Sequence, residues 1–241
     1  MRIPFALLLA ALASPPVGAQ TAADVAVEET TSLYEFSFAY PAAAKAIPAL
    51  DRLIQQRLSR ARTDLSREAR AAKADAAANA YPFHPHSSVT HWTVVASLPA
   101  FLSLNAQFYT YRGGAHGMTD FDSLVWDRKA GRPLAPWNMF SSPAAFAASF
   151  SPAFCKALDK ERAKRRNGHD MGGMFTNCPP GHEQTLILGS SNGRTFDRIG
   201  LLIGPYVAGP YAEGSYEITL PVTNAMLQTV KPRYRAAFSR R

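Results

Sequence analysis

The chain has 241 residues, 47% hydrophobic and 18% charged, with a formal charge of +8. That balance excludes wholesale disorder and supplies enough apolar residues for one large domain or two small ones around a real core. In a cytosolic protein the positive charge would point first to nucleic acid; the N-terminus redirects it.

Arg2 precedes an uninterrupted apolar run over 5–13, Ser14-Pro15-Pro16 breaks any helix, and Val17-Gly18-Ala19 offers small residues to a signal peptidase. The run is too short for a membrane span, which needs about 20 apolar residues. Residues 1–19 therefore read as a cleavable secretory signal, cut near Ala19. The expected mature protein is periplasmic or secreted, with no transmembrane anchor and no nucleic-acid partner. Its basic balance predisposes it to anionic envelope polymers or membrane surfaces.

Residues 20–32 are small and polar, and read as a disordered lead-in. Over 33–40, Tyr34, Phe36, Phe38 and Tyr40 alternate with Glu35, Ser37 and Ala39, the period of a half-buried strand that Pro41 ends. A long amphipathic helix is expected over 42–78, its apolar stripe running through Ile47, Leu50, Ile54, Leu58, Ala61, Leu65, Ala69 and Ala72. Arg52, Arg57, Arg60, Arg67 and Arg70 read as its solvated face. A proline-broken loop over 81–86 leads into strands at 89–98, 101–111 and 119–126, an antiparallel meander with one wet face. Ser142-Pro143 and Ser151-Pro152 read as two helix starts, since proline suits the first helical position. Phe146, Phe150, Phe154 and Leu158 share a face. Strands return at 185–189, 199–203 and 215–222, then a short helix near 223–230.

Cys155 and Cys178 are the only cysteines. In an oxidising compartment they most simply form one disulfide. It would close a loop holding Lys156, Lys160, Arg162, Lys164, Arg165 and Arg166 and a glycine-rich tail, and stabilise the fold by about 3 kcal/mol in the chain-entropy model.

Catalytic signals are sparse. His84, His86 and His91 superficially resemble a metal cluster, but one pair sits in a proline loop and no Cys or acid follows at ligand spacing, so no metal is expected. Residues 189–193 (GSSNG) carry the letters of Gly-x-Ser-x-Gly, but Ser191-Asn192-Gly193 reads as a turn between strands. There is no phosphate-cradling loop and no dinucleotide fingerprint, so no cofactor is expected. Glu35, Asp120, Asp122, Glu183, Asp197, Glu213 and Glu217 are carboxylates without a pattern. More specific are two glycine-aromatic clusters, 109–117 (YTYRGGAHG) and 206–214 (YVAGPYAEG). They read either as irregular strand connections packed by tyrosines or as a binding surface, in which tyrosine gives rigid contact area and an orienting hydroxyl.

These clusters carry a resemblance. Gly-Gly-Ala-His at 113–116, Thr119-Asp120-Phe121-Asp122, Leu134 and Met139-Phe140, with Gly204-Pro205-Tyr206, Gly209-Pro210-Tyr211-Ala212-Glu213-Gly214 and 217–221 (EITLP), resemble a family of extracytoplasmic domains of unknown function. The family is shared by the lysozyme-sensing anti-sigma factor RsiV and the peptidoglycan deacetylase PdaC. The resemblance covers about 100–225, and 33–98 look like the smaller domain that usually precedes it. The elements along the chain make an α+β fold of antiparallel sheets, a long amphipathic helix and a second helical segment, and the resemblance implies two small packed subdomains, at 33–98 and 99–241. Neither an anti-sigma segment nor a deacetylase domain accompanies it, so neither signalling nor deacetylation is expected to carry over. The reading favoured is a non-catalytic envelope module that binds peptidoglycan or a cell-wall-acting protein such as a lysozyme. Tyr111, His116, Asp122, Tyr206, Tyr211 and Glu213 are its candidate binding residues. An envelope hydrolase using carboxylates, or a structural envelope protein with a protein partner, are the alternatives.

Overall fold

A computed structural model describes residues 24–169, 173 and 175–241. The expected signal peptide, residues 1–19, lies outside them. Strands β1 (Val25–Thr30), β2 (Tyr34–Tyr40), β3 (His86–Ser97), β4 (Phe101–Tyr111), β5 (Met118–Asp127) and β6 (Arg132–Leu134) form one six-stranded sheet in that order. Between β2 and β3 run α1 (Ala42–Lys45) and α2 (Pro48–Ala78). A second sheet holds β7 (Thr185–Gly189), β8 (Arg198–Ile203) and β9 (Tyr216–Pro221), with α3 (Pro143–Arg165) before it and α4 (Asn224–Gln228) after it. The fold is α+β.

Alternation builds the first core. Phe36, Phe38, Tyr40, Trp92, Leu104 and Trp126 lie on one face of the large sheet against Leu50, Ile54, Leu58 and Leu65 of α2. The Tyr40 hydroxyl donates to Asp51 Oδ1 at 2.7 Å, which fixes the start of α2 over the end of β2. A bulge between Val94 and Ala96 then flips the facing of β3 by one residue. Trp92 consequently belongs to the first core, whereas Ala96 and Leu98 join a second, built mainly from α3 and the small sheet. The two cores thus share β3, β4 and β5.

Several sequence expectations are corrected. Residues 25–30, expected in a disordered lead-in, form an edge strand antiparallel to β2. Its short run of Val25 and Val27 among polar residues hides the alternation. β2 and β3 pair in parallel, because α2 carries the chain back across the sheet. The single helix expected over 42–78 breaks at Ile47, which takes an extended conformation (φ −108°, ψ 101°) ahead of Pro48. The helix start expected at Ser151-Pro152 does not occur. Pro152 sits inside α3, and the buried stripe of Phe146, Phe150, Phe154 and Leu158 carries the helix through it. The division expected at 98/99 falls in the turn between β3 and β4, two hydrogen-bonded strands of one sheet.

The end of β5 not covered by β6 would be an exposed sheet edge, a template for unwanted pairing. The second unit covers it. Thr185 Oγ1 donates to Phe121 O at 3.2 Å.

Candidate functional site

The two glycine-aromatic clusters meet where the small sheet packs against β5. His116 precedes β5, and Tyr206 and Tyr211 come from the connection between β8 and β9. The rings of His116 and Tyr211 stack with centroids 3.9 Å apart. His116 Nε2 lies 3.1 Å from the Tyr206 hydroxyl, and the two tyrosine rings are 5.7 Å apart. His116 Nδ1 lies 2.9 Å from Gly117 O. The tip of the Tyr109 ring lies over Gly117, where a Cβ would displace it. The result is a continuous aromatic surface on which Tyr206 is 46% exposed, flanked by exposed Val207 and Tyr109.

The backbone is strained to achieve this. Tyr206 has φ +67°, a left-handed conformation that a bulky side chain adopts only when its surroundings enforce it. The enforcement comes from α3. Arg162, almost fully buried, donates from Nε to Ala208 O at 2.8 Å and from Nη2 to Asn177 O at 2.9 Å. Arg166 Nη2 adds a bond to Ala208 O at 3.3 Å. Cys178, next to Asn177, is disulfide-bonded to Cys155 of α3, with Cα atoms 5.5 Å apart. The tyrosine loop, the 176–178 segment and α3 are thereby held as one block.

Glu213 completes the block and does not reach the aromatic surface. Its carboxylate accepts from Arg166 Nε at 2.8 Å and from the Tyr216 hydroxyl. Burial alone would push this carboxyl up, but the hydrogen bonds from Arg166 and Tyr216 outweigh it and hold the carboxyl below its ordinary value. Glu213 is thus kept ionised, the opposite of what a general acid needs. Burial, together with Glu213, pushes the Tyr216 hydroxyl up.

Of the six candidate residues, the structure brings together His116, Tyr206 and Tyr211. Tyr111 ends β4, and Asp122 is paired to Arg57 of α2 at 2.7 Å on the opposite face of the sheet from Tyr109. Among the described residues no hydrogen bond or ring contact links either to the stack. Sequence reasoning missed Arg162 and treated it as part of a loose basic run. The signal was there: 146, 150, 154, 158 and 162 continue the buried stripe at steps of four. His86 is buried and its pKa is lowered, first by burial and then by Arg112. Among the described residues no group of three His, Cys, Asp or Glu side chains is placed to hold a metal ion, and no helix is long and apolar enough to cross a membrane. The disulfide fits an extracytoplasmic domain.

A concavity of about 610 Å³ lies apart from this surface, between α2 and strands β3, β4 and β5. Arg57, Arg60 and Glu68 line it from the helix, and Trp92, Phe108 and Asp120 from the sheet.

Residues 27–119 match the family described as Deacetylase PdaC. The matched span takes in most of β1 and runs to the start of β5. No curated protein matches the chain. Among solved structures, a DUF3298 family protein from Pseudomonas aeruginosa PAO1 superposes with a TM-score of 0.55 at 18% identity, over 91% of this chain and 96% of that one. A DUF3298 family member from Bacteroides fragilis NCTC 9343 gives 0.48, also at 18% identity, over 86% and 92%. The chain therefore has the fold of the Pseudomonas aeruginosa DUF3298 protein, and its residues 27–119 are similar to the Deacetylase PdaC family.

Proposed function

We propose that the protein is an exported, non-catalytic binding module of the cell envelope, and that its aromatic surface engages the glycan of peptidoglycan. The observation that carries this reading is Tyr206, a strained tyrosine aimed outward by buried arginines and flanked by stacked rings. Rigid aromatic faces suit the apolar faces of sugar rings, and tyrosine hydroxyls at the rim can orient ring hydroxyls. The signal-like N-terminus and the disulfide support an envelope address. The name of the PdaC family, a deacetylase, is compatible with a cell-wall setting.

The resemblance to RsiV also brings a lysozyme-like protein into view as partner. The net charge of +8 argues against it, because familiar lysozymes are cationic and like charges slow encounter. Of the four acids placed to offset this, Glu213 and Asp122 are each committed to an arginine, while exposed Asp120 and Glu217 make no ion pair among the described residues. Incubation with purified peptidoglycan and with immobilised lysozyme, at low and moderate salt, separates the readings. Retention on peptidoglycan alone supports the proposal; retention on neither sinks it. Release of soluble muropeptides would favour an envelope hydrolase instead.

A further inference from the structure

The cleft under α2 has a distinct origin and a distinct chemistry from the aromatic surface. On α2, positions 57, 61, 64 and 68 fall on one side of the helix at steps of four, three and four, and hold Arg57, Ala61, Asp64 and Glu68. A small residue and three charged ones cannot fill the space over the sheet, so Phe108 of β4 is left only partly covered. The volume of about 610 Å³ falls within the usual range of small-ligand sites.

Three features describe what would fill it. The floor is apolar at Phe38, Trp92 and Phe108. Trp92 is 1% exposed, yet its Nε1–H finds no acceptor among the described residues, which is costly for a buried donor. The walls carry charge of opposite sign with capacity to spare. On the helix wall, Arg60 is 87% exposed and only loosely paired, 3.7 Å from Asp64. On the strand wall, exposed Asp120 makes no ion pair among the described residues. Arg57 and Arg112 are already engaged by Asp122 and Glu68. A polyanion would gain little from a rim so nearly neutral, and a neutral sugar would leave both free charges unused.

We infer that this cleft binds a short peptide with a free amino group and a free carboxylate. The carboxylate is taken by Arg60 on α2, the ammonium by Asp120 on β5, and the small apolar side chains lie on Phe108. Charge-assisted bonds of this kind are about twice as strong as neutral ones, so both peptide termini matter. The inference stands apart from the aromatic surface and does not depend on it.

Isothermal titration of the protein with trialanine, with the same peptide acetylated and amidated, and with chitotriose tests it. Trialanine with free termini is expected to bind, and blocking both termini is expected to weaken it at least tenfold. Arg60→Ala and Asp120→Asn are each expected to weaken trialanine about fivefold or more, with thermal unfolding and retention on peptidoglycan unchanged; both side chains are exposed. Equal binding of free and blocked peptide, no binding of trialanine, or indifference to both substitutions overturns the inference. Chitotriose binding that Asp120→Asn abolishes overturns it in favour of a sugar site. Failure of the glycan proposal registers separately, as loss of retention on peptidoglycan with trialanine binding intact.

Discussion

His116 and Tyr211 stack at 3.9 Å with their planes 23° apart, across the line where the small sheet packs on the large one. One residue comes from the entry to β5 and the other from the connection between β8 and β9, 95 positions later in the sequence. The stack is therefore both part of a surface and a tie between two cores. A double-mutant cycle with His116→Ala and Tyr211→Ala, followed by urea unfolding, is expected to show a coupling of about 0.5–1.5 kcal/mol. Strict additivity would remove the tie from the account.

Arg162 is the buried cation on which the tyrosine loop rests. Arg162→Met leaves Asn177 O without its donor and Ala208 O with only the longer bond from Arg166, and is expected to cost about 3 kcal/mol in denaturant unfolding. Arg162→Lys should recover only part of that loss, because an ammonium cannot span both carbonyls as a planar fork does. Full recovery by lysine would mean that charge alone, and not geometry, holds the loop.

The Cys155–Cys178 bond closes a 23-residue separation around the basic end of α3. Replacing both cysteines by serine is expected to lower stability by about 3 kcal/mol in the chain-entropy model, read as a fall in melting temperature that reductant reproduces in the native protein. An unchanged melting temperature would contradict that role.

Glu213 gives a pH signature. Its carboxyl titrates below the ordinary value of 4.5 in the folded chain, so the unfolded chain takes up this proton first. The stability it contributes is present above about pH 4.5 and is lost as pH falls through the folded value. Glu213→Gln is expected to lose stability at neutral pH and to show a shallower fall between neutral and strongly acid pH. The same slope in both proteins would mean that other carboxylates govern acid unfolding.

Much of this architecture was legible in the sequence, for identifiable reasons. Tyr34, Phe36, Phe38 and Tyr40 alternate without exception, and the alternation over 101–111 is clear enough to bound a strand. The face expected to be wet is not so throughout: Ser103 is buried and Phe101 joins the second core. The stripe of α2 was visible too, as were the two glycine-aromatic clusters, whose glycines advertise irregular backbone. What stayed hidden depends on partners distant in the chain. β1 is too short and too polar to declare itself without β2 beside it. Pro152 reads locally as a helix start, and only the phenylalanine stripe packed into the second core overrides it. Arg162 sits in a run of cations that masks its place on the buried stripe of α3, and its carbonyl partners at Ala208 and Asn177 lie on other segments. The cleft under α2 is a space between elements, and no single segment encodes it.

The proposed glycan-binding surface stands or falls with the strained, outward-facing Tyr206. Titration of the protein with chitotetraose, comparing the native chain with Tyr206→Ala, tests it most directly. Native protein is expected to bind saturably, and Tyr206→Ala to lose about tenfold or more in affinity, equal to about 1.4 kcal/mol, with its melting temperature unchanged. Native and Tyr206→Ala proteins that bind chitotetraose equally, or a native protein that does not bind it, would contradict the claim.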